Sequence, residues 1–499
     1  MRVTPTLVAG LSLTAAAMLP LDSCAKATPS AIERLHACEI EEGPADAYCG
    51  KLAVWENRES KTGRKINLKI VIMPALSRKS SADPLFLFAG GPGQGAAKIA
   101  KNMGGAFRLV QDTRDLVFID QRGTGDSNPL DCKGDEHDAD DLNKALRLEV
   151  PLEVFRDCLK KYDADPRLYT TPVAMDDIDE VRRHLGYGQI NLWGGSYGTR
   201  AALVFLRRHE DAVRSVILDG VAPPDMRLPL WFARDGQRSL DLTLDACTAD
   251  PGCARRFPDL RGKVKQVLER LERKPRLKLT HPRTGETAEA TVSREAIALV
   301  IMGALYAPAT ASLLPRLIED AAGGNFEGLL ALAFMGEASS DTGMSQGMFL
   351  SVACAEDMPR IQPADVAASA AGTFLGDAMF RTRMKACEFW PVGKVPPEYY
   401  QPVVSDKPTL VLSGRLDPVT PPAWGEGVAK HLSNSRHIVV PGAGHGASSA
   451  GCVPKLIRQF LEDGSAKSLD AACVEHVHRP PFFVTYSGPE AGPVPEARK

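Results

Sequence analysis

The sequence predicts an α/β fold in which a mostly parallel central sheet carries a large, mainly helical insertion. Three observations lead to this prediction. Short apolar runs typical of buried strands alternate with helical patterns up to about residue 225, which favours parallel strands joined by right-handed crossovers. Helical patterns dominate between residues 226 and 396. Strand patterns then return, so the insertion is expected to lie over the sheet.

The predicted elements follow this division. In the first part we expect strands at residues 51–55, 65–73, 84–89, 116–120, 189–193 and 213–218, and a helix at 175–185. In the insertion we expect helices at 240–247, 260–273, 294–306, 313–322 and 326–335, and a hairpin at 276–291. The sheet should resume with strands at 408–414 and 436–440.

We therefore divide the chain into five parts. These are a signal peptide at 1–27, the first part of the core at 28–225, a lid at 226–396, a second part of the core at 397–480, and a flexible tail rich in Pro and Gly at 481–499.

The composition is that of an ordinary globular protein. The chain has 499 residues, enough for a sizeable core. Its formal net charge is -2, with 24% charged and 44% hydrophobic residues. This balance gives no reason to expect nucleic acid or an anionic membrane surface as a partner.

The N-terminus resembles an export signal. Arg2 precedes an apolar stretch at 3–21 that is too short and too interrupted by proline to indicate a membrane span. Residues 25–27 (A-K-A) fit an ordinary cleavage site, whereas 21–24 (L-D-S-C) resemble a lipoprotein box that would place a lipid anchor on Cys24. We favour the ordinary site slightly. Either site predicts an exported protein, periplasmic or secreted.

The cysteine count supports export. Eleven cysteines are present, and without Cys24 ten remain to pair. The sequence does not establish the connectivity, and buried reduced thiols in a cytosolic enzyme are the alternative. Pairing sequence neighbours would give Cys38–Cys49, Cys132–Cys158, Cys247–Cys253, Cys354–Cys387 and Cys452–Cys473. No spacing resembles a zinc site, and we expect neither a metal nor another cofactor.

Residues 194–198 (G-G-S-Y-G) carry the clearest chemical signal. They stand between a predicted strand and a helical pattern, which is the context of a nucleophile elbow. The turn is so tight that the flanking positions need glycine, and it raises the Ser196 hydroxyl beside a helix N-terminus. The alternative is a glycine-rich turn with an idle serine.

A serine nucleophile needs a base, and His445 and Asp417 stand where one is expected. His445 lies in P-G-A-G-H-G directly after the last predicted strand, and Asp417 follows the preceding strand in G-R-L-D-P. The chain order Ser, Asp, His is that of α/β-hydrolases. A loop histidine and an Asx-type turn before Pro418 are the alternatives, and Asp406 is the weaker competitor for the acid.

An oxyanion hole requires two N–H donors near the serine. One should come from Tyr197, the residue after the nucleophile. The other should come from the glycine-rich loop at 90–95, where we choose the N–H of Gly91. A phosphate-binding loop is the rival interpretation, but the segment lacks a G-K-[ST] ending.

Together these motifs resemble the prolyl iminopeptidase branch of serine peptidases with an α/β-hydrolase fold. The motifs are G-G-P-G at 90–93, D-Q-R-G-T-G-D-S at 120–127, G-G-S-Y-G-T at 194–199, and the late Asp417 and His445. The layout is closest to secreted tripeptidyl aminopeptidase-like members, over about residues 52–460. One departure is Ala89, where the family often has His, which puts the fine geometry of the loop in doubt.

The resemblance implies an exported enzyme that hydrolyses peptide bonds near a free N-terminus through an acyl-enzyme intermediate. Such an enzyme must hold the substrate ammonium with carboxylates, and Glu356 and Asp357 in the lid are our candidates; a solvated acidic turn is the alternative. Asp120 and Arg122 are expected to brace the loop. The other functional hypotheses are an esterase or amidase for small hydrophobic acyl compounds, and a catalytically silent hydrolase fold used for binding.

Overall fold

A computed structural model describes residues 34–40, 46–77, 81, 83–132, 142, 146, 151–338 and 344–489, together with Met1. The predicted cleavage sites and Cys24 lie outside the described residues. No helix in the described part of the chain is long and apolar enough to cross a membrane.

The described residues form a nine-stranded sheet and a separate two-stranded hairpin. The strands are β1 His36–Cys38, β2 Ala47–Trp55, β3 Lys65–Met73, β4 Leu85–Phe88, β5 Leu116–Ile119, β6 Ile190–Gly195, β7 Val213–Asp219, β8 Arg276–Thr280, β9 Thr287–Thr291, β10 Thr409–Gly414 and β11 Ser435–Val440. The order in the large sheet is β1-β2-β3-β5-β4-β6-β7-β10-β11. Pairing from β5 to β11 is parallel, and β1 to β3 add an antiparallel edge. The predicted fold class is thereby confirmed.

Helices cover both faces of this sheet, which is why its central strands are continuous apolar runs. The helices are α1 Ala96–Gln111, α2 Leu152–Lys161, α3 Thr171–Leu185, α4 Tyr197–Arg208, α5 Phe232–Ala249, α6 Pro251–Arg256, α7 Leu260–Leu271, α8 Arg294–Leu305, α9 Pro308–Ala311, α10 Leu314–Ala322, α11 Glu327–Ala338, α12 Gln346–Val352, α13 Pro363–Ala370, α14 Ala378–Cys387, α15 Pro422–Ala429 and α16 Val453–Asp463.

Strand β4 shows how the two faces are filled. Its side chains alternate in direction, as the pleat requires. Phe86 and Phe88 pack with α3 and α4, whereas Leu85 and Leu87 pack with α1 and α16. The carboxyl ends of the parallel strands are left at one edge, where polar side chains can meet.

The lid has a hydrophobic cluster of its own, built mainly from α5, α7, α8, α10 and α11 with the β8–β9 hairpin. Phe482 and Val484 are buried in the same cluster, and the Phe483 N–H donates to the Ser312 carbonyl (3.1 Å). Residues 482–484, in the segment expected to be loose, are therefore packed against the lid, because their apolar side chains find a surface there. Residues 490–499 lie outside the described part.

Four of the five guessed disulfides are present, namely Cys38–Cys49, Cys247–Cys253, Cys354–Cys387 and Cys452–Cys473. The fifth guess is wrong in this structure, where Cys132 and Cys158 are free thiols. The Cys132 Sγ lies 2.8 Å from the Tyr162 hydroxyl. Burial, together with the neighbouring Cys158 thiol, raises the pKa of Cys132.

Candidate active site

Ser196 occupies a sharp turn between β6 and α4. Its backbone has φ 56° and ψ -125°, outside the regions that non-glycine residues favour. The flanking glycines are required, since a Cβ on Gly194 would lie 2.2 Å from the Gly198 carbonyl oxygen, and one on Gly198 would lie 2.1 Å from the Phe88 oxygen. Ser196 is partly exposed. This is the strained strand–turn–helix geometry that the sequence motif predicts.

His445 and Asp417 meet at the ends of β11 and β10. The Nδ1 atom of His445 lies 2.9 Å from Oδ2 of Asp417, whose side chain is fully buried. The other carboxylate oxygen, Oδ1, accepts the N–H groups of Val419 and Thr420, both at 2.8 Å. The Asx-type turn proposed as an alternative is thus present as well, and it holds the carboxylate toward the imidazole.

The end of β7 brings this pair close to the serine. The Ser196 N–H donates to the Asp219 carbonyl (2.9 Å). A Cβ built on the next residue, Gly220, would lie 3.5 Å both from Cε1 of His445 and from Oδ2 of Asp417. The Ser196 backbone and the side chains of His445 and Asp417 therefore border the same two residues, 219 and 220.

The electrostatics of the site favour a charged pair. Burial alone would raise the pKa of Asp417, but the attraction of His445 and the hydrogen bonds from His445, Thr420 and Val419 outweigh it and lower that pKa. Burial likewise opposes the charging of His445. Attraction to Asp417, the hydrogen bond with it, and the charge of Asp219 together raise the pKa of His445 above its ordinary value.

Asp219 and Tyr306 support the histidine, and sequence reasoning singled out neither. Asp219 is buried and accepts the N–H groups of Ala447 (2.8 and 3.0 Å) and Ser448 (2.8 Å), which shapes the loop after His445. The Tyr306 carbonyl accepts the His445 N–H (2.8 Å), and the Tyr306 ring stands edge-to-face on the imidazole (5.0 Å between centroids). Tyr306 sits at the end of a lid helix, and no local motif marks it.

The glycine-rich loop after β4 lies against Ser196. A Cβ on Gly90 would be 3.3 Å from the Ser196 Cβ, so the peptide that carries the Gly91 N–H runs beside the serine. Gly91 has φ 111°, and a Cβ there would lie 3.0 Å from Sδ of Met344 in the lid. The Ser345 N–H donates to the Gly93 carbonyl (2.9 Å), which ties the lid to this loop.

The D-Q-R-G segment braces the loop, as expected. Asp120 accepts the N–H groups of Ala97 (2.7 Å) and Asp126 (2.9 Å), and burial raises its pKa to about 6. Arg122 is fully buried and donates to both carboxylate oxygens of Asp177 (2.6 and 2.9 Å). These groups are satisfied by the protein itself.

The structure does not present Glu356 and Asp357 as open sites for a substrate ammonium. Both are fully buried. Glu356 accepts the Thr171 N–H (2.6 Å) and the hydroxyls of Thr171 (2.9 Å) and Tyr399. Asp357 accepts two bonds from the Arg200 guanidinium, at 3.0 and 3.1 Å. An ammonium would reach either carboxylate only by displacing these partners, because burial has committed the oxygens to internal donors.

Among the described residues, no group of three or more His, Cys, Asp or Glu side chains could hold a metal ion. The site is built from a serine, a histidine, a carboxylate and backbone N–H groups. Such a set is suited to acyl transfer through a covalent intermediate on serine.

Comparison with known proteins is consistent with this geometry. A family model described as "alpha/beta hydrolase fold" matches residues 83–242, which include Ser196, and one described as "TAP-like protein" matches residues 372–473, which include Asp417 and His445. The chain therefore has an α/β-hydrolase fold and is a hydrolytic enzyme.

Several proteins similar to this chain are named as peptidases. The chain is 27% identical over 478 residues to the serine protease Hip1 of Mycobacterium tuberculosis, covering 86% of this chain and 88% of that protein. It is 25% identical over 203 residues to the tripeptidyl aminopeptidase of Streptomyces lividans, with 38% of each chain covered. It is 28% identical over 138 residues to the proline iminopeptidase of Neisseria gonorrhoeae, covering 28% and 32% of the two chains.

Proposed function

We propose that the protein is an exported serine aminopeptidase, which cleaves peptide bonds near a free N-terminus through an acyl-enzyme intermediate. The observation that carries the proposal is the 2.9 Å contact between His445 and Asp417 beside the strained turn of Ser196. In the proposed triad, His445 acts as the base between the reactive Ser196 and the acid Asp417.

In this mechanism His445 removes the proton of the Ser196 hydroxyl as the oxygen attacks the scissile carbonyl carbon. The N–H groups of Tyr197 and Gly91 stabilise the oxyanion. The imidazolium then protonates the leaving amine, and water hydrolyses the acyl-enzyme with the same proton transfers in reverse order. Asp417 keeps the imidazole in the correct tautomer and stays ionised, in keeping with its lowered pKa.

The choice of an N-terminal peptide substrate is supported by the relatives named tripeptidyl aminopeptidase and proline iminopeptidase. Export is supported by the four disulfides, which persist in oxidising compartments. The number of residues released per cleavage is left open.

The substrate proposal is tested with two peptide anilides that differ only in the N-terminus, one with a free amine and one N-acetylated. Ser196→Ala protein serves as the blank for contaminating peptidases. We expect kcat/KM to fall at least about 100-fold on acetylation, because the charged hydrogen bond of the substrate ammonium is lost. Equal kcat/KM for both anilides would overturn the aminopeptidase assignment while leaving the serine mechanism intact.

A second candidate function is an esterase or amidase on small hydrophobic acyl compounds. The enclosure of Glu356 and Asp357 favours it, because the two lid carboxylates considered for ammonium binding are already occupied by Arg200, Thr171 and Tyr399. Faster turnover of a short acyl ester than of the free-amine anilide would support this alternative.

A further inference from the structure

The lid contacts α4, the helix that follows Ser196, through a short buried segment. After α12, residues Ala353–Asp357 form a single π-helical turn, and all five are buried. The Cys354–Cys387 disulfide ties this turn to the end of α14. Isolated π-turns inside helical segments are frequent at functional sites. We call this turn the lid anchor.

Glu356 of the lid anchor reaches the residue that follows the nucleophile. Its Oε2 accepts the Thr171 hydroxyl (2.9 Å), and the Thr171 Oγ1 lies 2.7 Å from the Tyr197 hydroxyl. The threonine has a single hydroxyl proton. That proton is donated to Glu356, so the Tyr197 hydroxyl must donate to Thr171. The three side chains thus form a directed chain from Tyr197 to the lid.

The same carboxylate holds a second helix. Its Oε1 accepts the N–H of Thr171, the first residue of α3 (2.6 Å), where a negative charge is favoured by the helix dipole. Asp357 completes the contact from the other side, since it pairs with Arg200 in the first turn of α4. The lid anchor therefore fixes the N-terminal ends of α3 and α4 relative to each other.

The Tyr197 ring leaves little freedom for its backbone. It is buried in a small cluster with Met348 and Val352 of α12, and the Arg200 guanidinium lies 6.0 Å from the ring centroid. With the ring packed and the hydroxyl bonded, the side chain is held at both ends. The N–H of the same residue is the one proposed to stabilise the oxyanion.

We propose that Glu356 is a positioning residue for the oxyanion hole, which acts through the Thr171 and Tyr197 hydroxyls to hold the Tyr197 N–H beside Ser196. The inference rests on the proposed function, because it needs Ser196 as the nucleophile. It gives the buried lid carboxylate a role in rate rather than in binding of a substrate amine. An oxyanion donor acts only when it points at the developing charge, so loosening the chain should slow chemistry more than it weakens binding.

The test uses variants that remove one oxygen atom at a time. Tyr197→Phe keeps the ring and the backbone N–H, and Thr171→Val keeps the shape and the N–H bond to Glu356. Loss of a whole oxyanion donor costs about 10²–10³ in kcat, so a misaligned donor should cost about tenfold, with KM changed less than about twofold. The double variant should lose about tenfold in kcat, the same as either single variant and not a hundredfold, because both changes break the same chain of hydrogen bonds.

Two controls separate positioning from packing. Thr171→Ser retains the hydroxyl and should recover most of the kcat lost in Thr171→Val. Tyr486→Phe removes a hydroxyl from an exposed tyrosine that bonds Asp320 at the lid surface, and should leave kcat unchanged. The acid limb of the pH profile should not move in any variant, because His445 is untouched.

The proposal is overturned if Tyr197→Phe keeps the kcat of the parent, if the two losses multiply, or if Thr171→Ser falls as far as Thr171→Val. If thermal unfolding followed by circular dichroism shows that Thr171→Val does not fold, the Tyr197→Phe variant alone tests the proposal. Complete labelling of Ser196 by a fluorophosphonate in the parent protein would show that Ser196 is a reactive nucleophile. Failure of that labelling would instead overturn the proposed function.

Discussion

The proposed catalytic edge of the sheet, formed by Ser196, Asp417 and His445, and the lid anchor both bury carboxylates, but the partners of these carboxylates differ in exposure. At the catalytic edge, Asp417 is fully buried while its partner His445 keeps 16% of its side chain exposed, next to a partly exposed Ser196. In the lid anchor, Glu356 and Asp357 bond groups that are themselves buried. Burial of an acid thus does not indicate reactivity; access to its partner does.

The pKa directions follow the same division. Attraction and hydrogen bonding from His445 outweigh burial and lower the pKa of Asp417. For Glu356 and Asp357 burial outweighs the attraction of Arg200, and their pKa values are raised. A lowered pKa suits an acid that stays ionised through a catalytic cycle, whereas a raised one records the cost of enclosing charge.

The largest expected effect is that of Ser196→Ala. Turnover should fall at least about 10⁴-fold, because no other group can form the acyl-enzyme. The melting temperature should change little, since alanine at φ 56° is as strained as serine. Steady-state assays and thermal unfolding check both points. Residual turnover above about 1% would contradict the assignment of the nucleophile.

Asp417→Asn should follow, with a loss in kcat of about 10³–10⁴. The amide keeps the size of the acid, but it cannot compensate an imidazolium and stabilises the wrong histidine tautomer. Steady-state kinetics at several pH values measure the loss. Asp406→Asn is the matched control, because Asp406 is the weaker candidate for the acid in the sequence. This variant should leave kcat unchanged. The reverse result for the two variants would exchange their roles.

Arg200→Met tests the lid anchor by stability. Removing the cation leaves Asp357 and Glu356 buried without it, which should lower the free energy of unfolding by about 3–5 kcal/mol. Arg458→Met is the matched control, because Arg458 pairs with Glu462 at an exposed surface and should cost only about 0–0.5 kcal/mol. Chemical unfolding in urea compares the two. Equal losses would mean that the lid anchor adds no more than a surface pair.

The smallest effect concerns pH. Activity requires neutral His445, so it should be lost as the pH falls through the raised pKa of that histidine, above the ordinary value near 6.5. Asp219→Asn removes one of the charges that raise this pKa, and the acid limb of kcat/KM should move to lower pH, by less than about one unit. A shift to higher pH would contradict the electrostatic account.

Local motifs were enough to predict the catalytic edge but not what surrounds it. Each of the three residues follows a predicted strand within one short glycine-containing motif. Ser196, Asp417 and His445 could therefore be placed at one edge of the sheet from the sequence pattern alone. The helical lid was predictable for the same reason, because apolar periodicity is local.

The remaining contacts depend on residues far apart in the chain. Arg200 and Asp357 are separated by 157 positions, and Glu356 and Thr171 by 185. C-A-E-D in the lid looked like a pair of carboxylates available for an amine, because a sequence does not show which arginine or hydroxyl will fill them. The Tyr306 carbonyl under His445 leaves no signal at all, since any residue could supply it.

The central claim is that Ser196 is the nucleophile activated by His445, and covalent labelling tests it most directly. Protein treated with a fluorophosphonate at neutral pH is digested and the modified peptide is mapped by mass spectrometry. The account predicts one label per chain on Ser196, formed rapidly near neutral pH and slowed at acid pH as His445 is protonated. Absence of labelling in folded, active protein, or labelling of another side chain that abolishes turnover, would contradict it.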